Sequence, residues 1–223
     1  MAFIDELTFV MITLILVAAT VGYIVVAELY AYWRSGPKGL GTALRETAVP
    51  MVALGLVVLI IGFWGMFTWP LPGAYNLLFF DIYTLFGLIV LGFGLSVYLG
   101  FRLQYVGVLS LVSGGIVIAY GARAYQLGLT STPWAMFLMY LGWGATAILA
   151  FPVAVIADGW LRGGAAGAPA VEPAKGKDGT PRYPVSYLRA AIVLFFVLVI
   201  VLSALATGGI LANAVFTHLK SPP

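Results

Sequence analysis

Long apolar runs alternate with short polar breaks along this chain. The runs cover residues 7–33, 47–68, 77–101, 104–122, 133–157 and 187–215. Each is close to or above the roughly 20 residues that a helix needs to cross the hydrocarbon core. The breaks are "RSGPKGLG", "WPLPG", "FRLQ", "GARAYQLGLTSTP" and a long polar stretch after the fifth run. Lipid offers no hydrogen-bond partners to an open backbone, so continuous runs of this kind predict helices. A barrel would need ten-residue strands of alternating character, which are absent from the sequence. The predicted fold is all-α: a single integral domain over residues 1–223, a polytopic membrane bundle of six transmembrane helices.

Composition agrees with that pattern. The chain is 62% hydrophobic and only 9% charged, whereas a soluble domain carries about a quarter of its residues charged. It has no cysteine, which excludes disulfides, thiolate nucleophiles and thiol-ligated metals. Its one histidine, His218, rules out a haem held by two histidines of this chain. The first run follows an acidic leader (Asp5, Glu6) and is too long for a secretory signal, so it is expected to remain as a span.

Basic residues set the expected orientation. Arg34, Lys38, Arg45, Arg102, Arg162, Lys175, Lys177, Arg182 and Arg189 fall on one side, and only Arg123 and Lys220 on the other. The basic side stays cytoplasmic, so both termini should be extracytoplasmic in a multi-pass protein of the plasma membrane. Residues 162–186 are rich in Gly, Ala, Pro and Lys without an apolar period. Such a segment predicts a flexible cytoplasmic linker. It would serve as a tether for the sixth helix, or as a docking arm for a partner or anionic lipid.

Small residues recur at a spacing that governs packing. Gly55 and Gly62 in the second span, and Gly107, Gly114 and Gly121 in the fourth, are seven apart. Seven residues is nearly two turns, so each set lies on one helix face. Such seams let helices approach closely in lipid. They predict a tight bundle or a subunit interface, and no wide aqueous pore. No internal repeat of transporter type is visible.

Ionisable groups within the apolar runs are few, and each is a functional candidate by default. Glu28 is the deepest, roughly 8–9 Å inside the inner end by helical rise. It is read as an acid that snorkels or pairs with Arg102 or Arg45, or as a proton or cation station. Only hydroxyls (Thr20, Ser110, Ser113, Thr146, Ser203) sit near the midplane, which argues against a proton pump. Asp81 should sit at the positive end of the third helix and is expected to pair with Arg123. Met11, Met66, Met136 and Met139 at outer ends, with His218, offer a weak copper(I) alternative, although methionine also fills cores. No other metal site is expected. Trp33, Trp160, Trp69, Tyr75, Tyr125 and Trp134 form interfacial belts, while Trp143 lies deeper between two glycines. There is no acid pair, activated nucleophile or phosphate loop, which disfavours an enzyme.

The break after the second run, "FTWPLPGAYNLLFFD", is richer than a turn requires. Pro70 and Pro72 end one helix, Trp69 and Tyr75 join the outer belt, and Asn76 is placed to cap the next helix. With Asp81 and Arg123 it forms the candidate ligand or partner surface. Whether it is a turn or a re-entrant segment stays open. Through Thr68, Trp69, Pro70, Leu71, Pro72, Gly73, Asn76 and Asp81 the chain resembles a domain-of-unknown-function family of archaeal multi-span membrane proteins. The likeness extends over spans two to five. It implies an archaeal membrane and no particular activity.

Three functions are carried forward. The first is a non-catalytic subunit of a larger membrane assembly, respiratory in type, binding membrane lipid and other subunits or itself. The second is a small-solute transporter or channel, and the third an outer-side quinone- or lipid-binding enzyme. No cofactor of the chain's own and no nucleic-acid partner are expected.

Overall fold

A computed structural model describes residues 6–130, 132–162, 173–175 and 181–220; the side chains of residues 175, 181, 214 and 217–220 fall outside that description. Among the described residues five helices are long and apolar enough to cross a membrane. They are α1 (Glu6–Thr68), α2 (Ala74–Leu99), α3 (Leu103–Gln126), α4 (Pro133–Arg162) and α5 (Tyr187–Lys220). The fold is all-helical apart from a two-residue antiparallel bridge, Ala174 with Arg182 and Lys175 with Pro181.

The largest departure from the sequence pattern is in α1. A loop was expected over residues 34–46. Helix runs through that stretch, broken only at Gly36 (φ 63°, ψ −152°). That backbone conformation belongs to glycine, and Pro37 then sits at the start of the second leg, where its missing N–H costs nothing. The stretch fell out of the apolar runs because Thr42, Arg45 and Glu46 are polar. A helix needs only one buried stripe, and Leu40, Leu44 and Ala48 supply it at four-residue spacing.

Sixty-three residues of straight helix would measure about 95 Å. The chain folds back instead. Thr47 Oγ1 lies 3.4 Å from Glu28 Oε1, whereas 19 residues along one unbroken helix would separate them by about 28 Å. A first leg, residues 6–35, and a second leg, residues 37–68, therefore run antiparallel about Gly36.

The expected linker also has structure at its described end. Tyr183 N–H donates to Trp33 O at 2.9 Å, and its ring covers Gly36, where an added Cβ would lie 2.5 Å from ring carbons. Tyr32 stacks on Trp160 at 4.5 Å, and the Arg182 guanidinium lies 4.5 Å above the Trp33 ring. Residues 181–186 thus seal the α1 bend instead of hanging free. Residues 163–172 and 176–180 of the expected linker lie outside the described residues.

The glycine seams close within the chain. On the second leg of α1, Gly55 meets the backbone of Leu91 and Gly62 meets Thr84 on α2; Gly87 of α2 returns the contact to Leu59. On α3, Gly107 meets Phe151, Gly114 meets Gly144 and Ile148, and Gly121 meets Tyr140, all of α4. Numbers fall along one helix as they rise along its partner, so both pairs are antiparallel. Helix α5 packs across the remaining face, with Trp143 Nε1 donating to Thr207 Oγ1 at 2.9 Å and Gly22 of α1 against Ile200.

Candidate functional site

The segment "FTWPLPGAYNLLFFD" contains a short turn. Helix α1 ends at Thr68 and α2 starts at Ala74, so residues 69–73 alone join the two helices. Trp69 N–H still bonds Gly65 O at 3.1 Å, and its backbone takes φ 50°, an unusual value for a bulky residue. Pro70 then blocks continuation. Asn76 does not cap α2. It is fully buried, accepts from Leu71 N–H at 3.2 Å and donates to Gly65 O at 3.0 Å. One amide thereby gives the Gly65 carbonyl a second donor beside Trp69 N–H and supplies the acceptor for the Leu71 amide of the turn. Asn76→Ala is expected to lower stability by about 1–3 kcal/mol for the Leu71 amide left unpaired. Asn76→Asp keeps the acceptor but loses the donor to Gly65, so an intermediate loss in thermal unfolding is expected.

The predicted Asp81–Arg123 pair does not form. Tyr120 Oη donates to Asp81 Oδ2 at 3.1 Å, while exposed Arg123 Nη1 donates to Gln126 Oε1 at 3.2 Å. Position 120 lies nearly one turn closer to Asp81 along α3, and a phenol reaches the partly buried acid without bringing a second charge out of water. Tyr75 Oη donates to Leu129 O, and Tyr140 Oη to Leu78 O at 2.5 Å. Tyr140 thereby bonds a carbonyl in the π turn Leu77–Asp81. The five residues of the supposed surface divide: Asn76, Tyr75 and Asp81 are turned to internal bonds, and only Trp69 and Arg123 are exposed.

Of the candidate methionines, Met11 and Met139 share one apolar gap and Met66 bonds elsewhere. Met66 accepts from Thr84 Oγ1 at 3.4 Å on the α2 face opposite the gap. Met11 and Met139 line a small apolar gap beside Val117 and Phe79. The His218 side chain lies outside the described residues.

What the sequence pattern did not expose is an interior cavity of about 120 Å³ to which all five helices contribute. Val21, Phe93, Ser110, Ala150 and Phe196 represent the five. Its polar wall groups are satisfied: Ser110 Oγ donates to Ala147 O at 2.7 Å and Thr146 Oγ1 to Gly142 O at 2.9 Å. Trp143 spends its N–H on Thr207 and packs edge-on against Phe86 at 5.4 Å. Glu28 is the only charged residue on the wall. Neither Arg102 nor Arg45 reaches it; its partner is Thr47, whose single proton goes first to Leu44 O at 2.9 Å. The carboxyl is therefore left with spare hydrogen-bonding capacity toward the cavity.

A second, larger cavity of about 250 Å³ opens where α2 ends and α3 begins, with Arg45, Ser96, Asp158 and Arg162 on its wall. Leu44, Val97 and Leu103 wall both cavities. Asp158 is buried and accepts the N–H groups of Leu103 at 3.1 Å and Gln104 at 2.9 Å. A side chain of α4 thus fixes the start of α3, which has no cap from its own Arg102.

A family model described as a protein of unknown function (DUF981) matches residues 1–221. The chain belongs to that family. The match extends the likeness beyond spans two to five to the whole helical array, first leg and α5 included. No curated protein and no solved structure matches. Membership in the DUF981 family therefore assigns no activity, and the chemistry rests on these side chains. Two of them escaped the sequence pattern. Asp158 lay just past the apolar run, and Thr47 stood at the predicted start of a span; a carboxylate one residue beyond the end of an apolar run was the available signal for the first.

Proposed function

We propose that this DUF981 chain is an integral membrane protein of six crossings that holds an apolar chain, acyl or isoprenoid, in its interior cavity. The two legs of α1 cross separately, the second entering from the side where Arg34, Lys38 and Arg45 gather, with both termini outside. The observation that carries the reading is the cavity itself. It lies between helices that are packed elsewhere to backbone contact, so the space is not a product of loose packing. An apolar cavity of about 150 Å³ stays dry and takes a benzene-sized guest, so 120 Å³ suits part of a hydrocarbon chain. A quinone tail belongs to the same class.

The accessory-subunit reading rests on glycine seams together with the lack of cofactor ligands and of midplane charge; Gly55, Gly62, Gly107, Gly114 and Gly121 meet helices of this same chain, which removes those seams as support for a partner. Exposed apolar side chains occur on all five helices, as contact with lipid requires.

Protein purified in mild detergent is expected to release a defined apolar molecule on solvent extraction, measured by mass spectrometry. Ala150→Phe, which fills the cavity from its wall, should reduce the recovered molecule to a minor fraction while the thermal transition stays cooperative. Folded wild-type protein that carries nothing above detergent background would overturn the reading.

A further inference from the structure

We infer that the second cavity is a headgroup site, and that the molecule held by this chain is an anionic amphiphile bearing a phosphate. The inference rests on the interior cavity taking its tail. The two spaces share Leu44, Val97 and Leu103 as a common wall, so a head in one lies next to a tail in the other. The inner space is lined by two guanidinium groups, from Arg45 on the second leg of α1 and Arg162 at the end of α4. Neither has a hydrogen-bond or ion-pair partner among the described residues. Ser96 adds a buried hydroxyl that also bonds none of them.

One carboxylate, Asp158, is on the same wall. Its two oxygens are already occupied by the Leu103 and Gln104 amides, which offset its charge locally. The two arginines therefore leave the site net positive. Guanidinium groups match phosphate oxygens with paired, charge-assisted hydrogen bonds. The position fits as well: residues 41–45, 96–103 and 158–162 form the inner ends of four helix segments, the second leg of α1, α2, α3 and α4, at the level of the cytoplasmic headgroups under the proposed topology. A head at this level leaves the chain pointing inward among Val97, Leu103 and Leu44, toward the cavity lined by Glu28.

The test is native mass spectrometry of the full chain, delipidated in mild detergent. Three probes are added at equal concentration: a diacylglycerol monophosphate, the diacylglycerol with the same tails, and inorganic phosphate. The monophosphate is expected to be retained about tenfold or more over the diacylglycerol, the range of one hydrogen bond to a charged group. Arg45→Gln combined with Arg162→Gln should abolish that preference and leave diacylglycerol retention unchanged. Arg102→Gln, exposed and off the cavity wall, should leave the preference intact. Equal retention of the two lipids by the wild type would overturn the headgroup site while the apolar cavity reading stands. Inorganic phosphate retained as well as the lipid would show a free-anion site and overturn the amphiphile. Retention of neither lipid would overturn both readings. If the double variant fails to fold, each single variant is expected to lose part of the preference, and a preference undiminished in both would overturn the assignment.

Discussion

Gly114→Leu should prevent α3 and α4 from pairing, and Gly114→Ala should lower the unfolding transition of the purified protein. An added Cβ at Gly114 would stand 2.5 Å from Gly144 O and 2.9 Å from Ile148 N. These are backbone atoms of the facing helix, so no rotamer change relieves the contact, and the helices must separate. Overpacking of this kind costs about 1–3 kcal/mol for a single methyl, and a leucine side chain adds bulk along the same line of approach. In lipid no hydrophobic drive restores the pair, because close packing is the main force holding it. The neighbouring glycine supplies the control. A Cβ at Gly115 meets nothing within 4 Å, so Gly115→Ala should leave the transition unchanged or raise it, since alanine favours helix by about 1 kcal/mol over glycine. Equal behaviour of the two alanine variants in detergent unfolding would refute the close-contact account.

Asp158→Ala should be the most damaging single change where α3 begins. The carboxylate is the partner of two amides, Leu103 and Gln104, at the first turn of α3, where no intrahelical acceptor exists. Each buried donor left unpaired costs about 1–3 kcal/mol. Asp158→Asn keeps one carbonyl acceptor and should recover roughly half of the loss, the range expected when one of two such bonds survives. Hydrogen exchange at the amides of residues 103 and 104 gives the direct reading: both should exchange faster in the alanine variant, and amides in the middle of α3 should not. Uniform acceleration along α3 would mean that Asp158 acts by general packing instead.

The positions and lengths of most helices were legible because hydrophobic runs of 20 residues have few alternative uses. Spans 133–157 and 187–215 begin where α4 and α5 begin. Gly107, Gly114 and Gly121 were readable as a contact seam, since a seven-residue repeat of absent side chains marks a face. Which helix filled the seam was not readable: a flat strip accepts a helix of the same chain or of another, and only Phe151, Gly144 and Tyr140 opposite it decide the matter.

The polar groups were the hardest to place. Asp81 was assigned the nearest opposite charge on the same side of the membrane, but a charge partner is chosen by direction as well as depth, and Tyr120 points there. Asn76 looked like a cap because caps are local, yet its bonds run back to Gly65 and Leu71. Glu28 and Thr47 share no local pattern. Their meeting depends on the bend at Gly36, which hydropathy read as a loop.

The sequence by itself determined that this chain is helical, that its helices are long and apolar enough to cross a membrane, and that it carries small-residue contact faces, because those properties are set by composition and by period along one dimension. The tertiary structure alone decided where the chain folds back, which glycine faces which backbone, and that the five helices leave a shared apolar space beside two arginines with no partner among the described residues. Cavities and convergent charges are made by residues distant in sequence, and their geometry exists only once the helices are packed.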